Sequence, residues 1–467
     1  MDSFLTALKG VFDSLGATIA LPIIIFFIAL ILGAKPGKAF RAGVYVGIAF
    51  IGINLVIGLM WGALSSVGQA LVTNLNITRD VLDVGWPSAA AIAFGSKVGL
   101  WVIPIAILVN VVFLSLRLTK TLNIDVWNYW HMAFIGSMVA AVSGNLVYGL
   151  IAAAIAAALA LFLADWTAKA VQHFYELPGI SIPHLTTAPS VPFAIVTNWI
   201  MDRIPGLNKV NADPETIRKR FGIWGEPVIL GFFIGLILGI LGFYNAGDFN
   251  TVLVKVLGLA MNLAAVMLLL PRMVSILMEG LMPVSEAARE FMQKRAAGRE
   301  IYIGLDSAIL IGHPATISAS LVLVPIAILL SLILPGNRVL LFADLAVIPF
   351  VVAMFAPLMR GNIVRMIIAG TFELLVGFYI ATWMAPLFTK TAEASGFAMP
   401  ENALMITSIA DGFIWTGPLF VTLVQYAGLF GLLILAGLLA VAMYFYLKNS
   451  RAWEIAAGAP VEENETI

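Results

Sequence analysis

The sequence predicts an all-α polytopic membrane protein of about eleven transmembrane helices: two inverted five-helix repeats, each with a re-entrant hairpin, followed by a C-terminal helix. Three observations carry this expectation. The 467 residues are 61% hydrophobic and only 11% charged, with a mean hydropathy of +1.00, more apolar surface than a soluble domain needs. Basic residues are distributed so that they orient the apolar runs. The two halves of the chain also repeat short motifs in the same order.

Apolar runs of membrane length, ~20 residues for a helix, fall at about 15–33, 43–62, 98–116, 126–142, 145–164, 226–243, 252–271, 317–334, 343–358, 363–386 and 417–446. The first is read as a retained span, because no small-residue cleavage site lies within reach. Two further segments, 83–97 and 303–316, are too short or too interrupted by Gly and Pro to cross. Non-helical backbone at membrane depth is tolerated only where protein buries it or it lines a watery cavity, so both are assigned as re-entrant. Cytoplasmic loops carry the excess of Lys and Arg. Lys35, Lys38 and Arg41 put the first loop inside, hence the N-terminus outside; the alternation then places 20 of the 26 basic residues inside, with the C-terminus.

The repeat rests on three pairs. FFIALILG at Phe26 matches FFIGLILG at Phe232, PIAIL occurs at Pro104 and at Pro325, and GNLV at Gly144 matches GNIV at Gly361. The offsets are 206, 221 and 217 residues, and ordered matches at near-constant offset indicate duplication. Five crossings per unit force the second unit upside down, the inverted plan of transporters, whose substrate sits where broken segments of the two halves meet. The expected organisation is residues 1–164 as the first repeat, 165–225 as a cytoplasmic amphipathic linker and 226–386 as the second repeat. An external loop and last helix at 387–446 and a cytoplasmic tail at 447–467 complete it. Arg272 to Tyr302 holds an amphipathic candidate with Leu281, Val284, Ala288, Phe291 and Met292 on one side, suited to the membrane interface or to a docking partner.

The absence of cysteine excludes disulfides and thiolate chemistry, and four histidines without an HExxH pattern argue against a metal centre. No GxGxxG, Walker loop or nucleophile elbow appears, and no cofactor is expected. Charged groups at membrane depth cost ~2.5–3.5 kcal/mol on insertion scales and usually line a pathway. Asp83, in DVGWPSAAAIAFGS, and Asp306, in IGLDSAILIGHPAT, open the two broken segments. Each also fits a helix cap. His313 follows Asp306 between Gly312 and Pro314. Trp86 offers a ring face of the kind sugars stack on, and Ser88 a hydroxyl. His131, in NIDVWNYWHM, suits either a site or an interfacial belt. His184, in ELPGISIPH, suits either a re-entering stretch or a cytoplasmic turn. Asn145 and Asn362, at equivalent repeat positions, are expected to satisfy backbone at helix starts, and Glu226 to sit at a helix N-terminus.

At DVGWP, NIDVWNYWHM, ELPGISIPH, FGIWGEP and GLDSAILIGH with its following PIAIL, the chain resembles the galactitol-type enzyme IIC membrane component of the bacterial sugar phosphotransferase system. The resemblance runs from Leu15 to about Tyr446 and extends to the related ascorbate transporters. It implies a polyol or sugar permease in the bacterial cytoplasmic (inner) membrane, working as a homodimer with an elevator-type motion. It further implies phosphorylation of the cargo by a separate soluble IIB protein, itself charged through IIA. The phosphoryl donor is then a cysteine of that partner, which agrees with a chain that has none; nucleic acid plays no part. Carried to this sequence, the resemblance implies Asp306 as hydroxyl ligand and possible general base, with Asp83, Trp86, Ser88, His131, His184 and His313 around the polyol. His184 is alternatively placed to stabilise the incoming phosphoryl group. The other class that the residues leave open is an ion-coupled secondary transporter, with Asp83 and Asp306 holding Na⁺ or H⁺.

Overall fold

The structure, a computed structural model, describes residues 19–461 except 20, 21, 24, 32, 75–78, 126, 211, 222, 224, 225, 296–299, 342, 401, 402, 413 and 414. The first expected span, 15–33, therefore lies partly outside the described residues, as does the last part of the C-terminal tail. In chain order the helices are α1 (Pro36–Asn74), α2 (Trp86–Gly95), α3 (Gly99–Ser115), α4 (Trp130–Ser143), α5 (Leu146–Phe174), α6 (Ser190–Arg203), α7 (Pro214–Phe221), α8 (Pro227–Phe243) and α9 (Phe249–Arg295). They continue with α10 (Ala308–Ile311), α11 (Pro314–Ile333), α12 (Ile348–Val352), α13 (Phe355–Leu358), α14 (Ile363–Ala394), α15 (Ile409–Gly412), α16 (Thr416–Ala427), α17 (Leu429–Lys448) and α18 (Ser450–Ala456).

Their ends follow local chemistry. Proline opens α1, α7, α8 and α11, where the missing N–H is one the helix cannot use anyway. The Asn145 side chain accepts from the Val147 and Tyr148 N–H groups at the start of α5, and Asn362 accepts from Arg365 N–H at the start of α14, as expected. Glu226 stands at the N-cap of α8 without a side-chain cap bond.

Among the described residues, six helices are long and apolar enough to cross a membrane: the first part of α1, α5, the first part of α9, α11, α14 and α17. The protein is a multi-pass, mostly helical membrane protein. The 83–97 segment is broken as expected: Ser88–Gly95 and Gly99–Ser115 meet at 88°, and counting that bent pair as one span gives seven. Other expected spans take different forms. At a rise of ~1.5 Å per residue, the 14 residues of α4 reach only ~21 Å against a hydrocarbon core of ~30 Å. The 343–358 run is divided among a 3₁₀ turn at Leu345–Val347, α12 and α13, and the 417–446 run breaks at Gly428 between α16 and α17. Helix α5 carries on through Phe174, past Asp165, where the linker is expected to begin.

The long helices α1, α8 and α9 pack chiefly on one another. The FFIGLILG motif explains the fit of α8 on α9: a Cβ on Gly235 would lie 2.6 Å from Ala260 Cα, and one on Gly239 2.9 Å from Val256 Cα. Without a hydrophobic drive between helices in lipid, such small-residue notches allow backbones to approach and dispersion contacts to form.

Six short strands were not expected. They are β1 (Val81–Asp83), β2 (Thr121–Asn123), β3 (Ile180–Ser181), β4 (Tyr302–Gly304), β5 (Val339–Leu340) and β6 (Met405–Thr407). They form two parallel sheets, in the orders β5-β1-β6 and β2-β4-β3. Each sheet thus takes its middle strand from one half of the chain and both flanking strands from the other. Most of these strands run into a short helix or 3₁₀ turn, so the two sheets gather the beginnings of the broken segments.

Candidate functional site

The β2-β4-β3 sheet assembles one polar cluster. Asp306 follows β4 by two residues, Asp125 follows β2 by two, and His184 follows β3 by three. Parallel pairing therefore delivers the three loops to the same end of the sheet. His131, buried in the first turn of α4, completes the group.

One amide organises the carboxylates. Asn128 Nδ2 donates to Asp125 Oδ2 at 2.7 Å and to Asp306 Oδ2 at 2.9 Å, while its own oxygen accepts from Trp130 Nε1 at 3.2 Å. Asp306 Oδ1 accepts from Ala308 N–H at 2.8 Å, an Asx turn just ahead of α10, whose N-cap is Ser307, and this occupies only part of the carboxylate. The Asp306 side chain keeps 21% of its surface open, and His184 Nε2 lies 3.8 Å from its Oδ1. Asp125 Oδ1 is buried without a hydrogen-bond partner. A buried, unmatched acceptor carries a penalty of ~1–3 kcal/mol that a donated proton would remove.

The imidazoles are positioned by hydroxyls. Thr187 Oγ1 donates to Ser307 Oγ at 2.7 Å and stands 3.2 Å from His184 Nδ1. With its single proton committed to Ser307, Thr187 can only accept from His184, which assigns the proton of the neutral ring to Nδ1 and leaves Nε2 as an acceptor. That Nε2 faces His131 Nε2 at 3.4 Å, and the two rings meet edge-on, 4.6 Å between centroids. Thr186 Oγ1 lies 3.3 Å from His131 Nδ1 and donates to the Ala410 carbonyl at 3.1 Å, tying the cluster to α15 beyond the other sheet. Phe350 stacks over His184 at 6.1 Å. The arrangement is rich in acceptors and short of donors, with an apolar cover, which suits a ligand that brings hydroxyl groups.

Of the other expected residues, Asp83, Trp86 and His313 bond to other groups. Asp83 ends β1 in the β5-β1-β6 sheet, where Oδ1 accepts from Gly85 N–H and Oδ2 from Asp344 N–H. Asp344 in turn accepts from Trp86 N–H at 2.7 Å, Ser408 Oγ at 2.5 Å and Ile409 N–H at 2.9 Å. Trp86 and Ser88 stand in the first turn of α2 beside this network. His313 caps α11: its Nδ1 accepts from Ala315 N–H, and its ring packs against Phe174 and Tyr175 at 4.5 and 5.4 Å. The structure thus brings together His131, His184 and Asp306, while Asp83, Trp86 and His313 bond to groups outside that cluster.

Asp125, Asn128, Thr186, Thr187 and Asp344 were not singled out from the sequence. The first two sit inside NIDVWNYWHM, where the aromatic residues drew attention to the membrane interface. Arg365 and Glu373, too far apart to pair with each other, take other partners: Arg365 bonds Asp202 at 2.6 Å and Asn198 at 2.8 Å, and Glu373 accepts from Ser190 at 2.8 Å. Among the described residues no group of three or more His, Asp or Glu side chains is arranged to hold a metal ion.

A family model described as the sugar-specific permease component of the PTS system, EIIC-GAT, matches residues 11–402. The galactitol-specific EIIC component of the PTS system from Escherichia coli K12 is 43% identical over 382 residues, 82% of this chain and 83% of the relative. Its counterpart in strain O157:H7 matches to the same extent. A putative permease IIC component of E. coli K12 is 39% identical over 441 residues, 93% of this chain and 98% of the relative.

Proposed function

The chain belongs to the EIIC-GAT family, the sugar-specific permease components of the phosphotransferase system, and from that premise we propose that it imports a galactitol-like polyol and that the polyol is phosphorylated as Asp306 takes the proton of the reacting hydroxyl. The observation that carries this reading is the cluster at the β2-β4-β3 sheet. It holds a partly open carboxylate beside the acceptor nitrogen of His184, with Asp125 Oδ1 unmatched. A polyol supplies hydroxyl donors to all three.

The step balances without a cofactor. A polyol hydroxyl oxygen attacks the phosphorus of a phosphocysteine on the soluble IIB partner; the O–P bond forms as the S–P bond breaks, and the thiolate leaves on IIB. Asp306 takes the hydroxyl proton. Asn128 holds Asp306 in place through Oδ2, and Asp125 and His131 align the remaining hydroxyls. Phosphoryl transfer asks mainly for positioning and charge stabilisation, so His184, once it has gained a proton, stands ready to offset charge on the phosphoryl oxygens.

The two sheets, each with its middle strand exchanged between the halves, support the inverted repeat, and the self-packed group α1, α8 and α9 supports a scaffold against which the rest moves in an elevator-type homodimer. In that reading Asp83, Trp86, Ser88 and His313 shape the walls of the pathway and do not grip the cargo. The count of eleven crossings, an external N-terminus and a cytoplasmic C-terminus complete the proposal, supported by the distribution of Lys and Arg.

The test uses membrane vesicles given labelled galactitol, phosphoenolpyruvate and the soluble phosphotransferase proteins. Phosphorylated product inside is the expected result. Unmodified galactitol accumulating with an ion gradient would instead establish a secondary transporter. Normal phosphorylation by Asp306→Asn would remove the assigned role.

A further inference from the structure

A cavity of about 630 Å³ opens where the end of α6, the start of α14 and the 3₁₀ turn Leu207–Lys209 meet. Among its lining residues are Asn198, Asp202, Lys209, Asp213, Arg360 and Arg365. Both acids are occupied: Asp202 by Arg365, and Asp213 by the N–H and hydroxyl of Thr216 at 2.9 and 2.6 Å. Arg365 is equally committed, to Asp202, Asn198 and the Leu207 carbonyl. Among the described residues Lys209 and Arg360 have no side-chain partner, and both face the cavity. Its unspent charge is therefore positive.

Arg360 stands in a backbone conformation that normally selects glycine. Its φ is +53°, at the left-handed position where α13 ends, with Gly361 N–H closing the turn onto the Ala356 carbonyl at 2.8 Å. Glycine adopts that position without strain and is the usual residue there. An arginine at this point keeps a guanidinium in the cavity at the expense of an easier turn.

The turn is also adjacent to the segment that carries Asp306. A Cβ on Gly361 would lie 3.3 Å from the Phe174 ring and 3.5 Å from Ala315 Cβ, and Phe174 is the ring against which His313 packs. The stretch from Asp306 to Ala315 thus leads from the proposed phosphorylation site to the cavity wall.

A second recess of about 270 Å³ shares Asn198, Asp202 and Arg360 with the first and is walled by Ile195, Trp199 and Ile455. Trp199 is 56% exposed and carries the Arg203 guanidinium over its ring at 3.6 Å. A free-cation cavity beside an apolar shelf with an accessible Trp and Arg matches the anatomy of a protein interface better than that of a small polar metabolite site.

Resting on the function proposed above, we infer that this double recess is where the phosphate-bearing loop of the IIB partner first seats, with Arg360 and Lys209 holding the phosphoryl oxygens before the polyol hydroxyl meets them at Asp306, and the Trp199 shelf holding the loop's apolar flank. Arginine and lysine bind phosphate through charge-assisted hydrogen bonds.

The experiment measures initial rates of galactitol phosphorylation by the full-length protein in lipid nanodiscs as phospho-IIB is varied, together with melting temperature. Arg360→Gly is expected to raise KM for phospho-IIB about tenfold while kcat stays within about twofold and the melting temperature holds or rises. Lys209→Gln should act in the same direction with a smaller effect, and Arg360→Lys should recover most of the loss. KM for phospho-IIB unchanged in both Arg360→Gly and Lys209→Gln, with active wild-type protein, overturns the docking site alone. So does an unchanged KM accompanied by weaker inhibition by galactitol phosphate, which would make the cavity an exit site for product. No phosphorylated galactitol from the wild type overturns the functional reading itself, and the docking site with it.

Discussion

The two parallel sheets share a topology and differ in how they use their carboxylates. In the β5-β1-β6 sheet every oxygen of Asp83 and Asp344 has a donor, most of them backbone N–H groups of the loops that the sheet joins. In the β2-β4-β3 sheet Asp125 keeps one bare oxygen, and Asp306 keeps an exposed face beside two imidazoles. The same construction thus yields one pair of carboxylates with every oxygen matched, beside a buried Thr407 hydroxyl that has no partner among the described residues, and one set of unspent acceptors. Buried polar groups are normally matched, so the unmatched Asp125 oxygen supports the cargo site proposed at the second sheet.

The sharpest way to break that contrast is Asp306→Asn. The amide nearly preserves size and can still accept from Ala308 N–H, losing only the bond from Asn128 Nδ2, so stability should fall by no more than about 1–2 kcal/mol. Loss of the base should lower galactitol phosphorylation by about 10²–10⁴-fold, the usual contribution of a positioned acid or base. Rate measurements on the detergent-purified protein, paired with a thermal melt, check both halves. A large drop in melting temperature with little loss of rate per folded molecule would invert the assignment of the two sheets.

Asp344→Ala is the reciprocal change. It strands Trp86 N–H, Ser408 Oγ and Ile409 N–H, all buried or partly buried. At ~1–3 kcal/mol for each orphaned group, the expected loss of stability is roughly 3 kcal/mol or more. The protein should express poorly and melt earlier, while whatever remains folded phosphorylates galactitol with a nearly normal KM. A KM rise as large as that of Asp306→Asn would make both sheets part of the cargo site.

How far the sequence reveals this depends on the kind of signal. A carboxylate in apolar surroundings stands out on cost alone, as Asp306 does, whereas His131 and His184 each read two ways and join the expected site through the family resemblance. Asp344 opens the apolar stretch 343–358, which reads as a span start, and Asn128 is hidden among aromatic residues. The strands could not be read, since two or three residues show no alternation and most of their stability comes from partners more than a hundred residues away. Gly312 and Pro314 around His313 fit a broken segment at a site, and they equally mark an ordinary helix start, which is where the ring sits.

His313→Ala separates those two meanings. As a cap, its loss should cost about 1 kcal/mol of stability and leave the galactitol KM unchanged. As a cargo ligand, it would raise KM without a shift in melting temperature. The first outcome is expected, because the ring is enclosed by Phe174 and Tyr175 and its Nδ1 is already bonded to Ala315 N–H.

The smallest effect concerns the ion pairs at the sheet edges. Burial works to raise the pKa of Glu300, but hydrogen bonds from Lys169 and Tyr302 and the charges of Lys169 and Lys120 outweigh it and hold the carboxyl at about 2, below the ordinary 4.5. A carboxyl whose pKa is lowered by folding stabilises the fold above its unfolded value and loses that contribution as pH falls toward the folded one. The Glu300 side chain is 50% exposed, so solvent screening reduces the expected benefit to roughly 0.5–1 kcal/mol. Glu300→Gln should therefore melt slightly earlier than the wild type at pH 7, and the two should converge as pH falls from 4.5 toward 2. At the other sheet the Arg338 guanidinium bonded to Asp80 lowers that carboxyl from 3.8, and Asp80→Asn should show the same sign with its window starting lower. A pH-independent deficit in both variants would mean that neither edge is held by charge, and that the sheets differ only in the carboxylates at their centres.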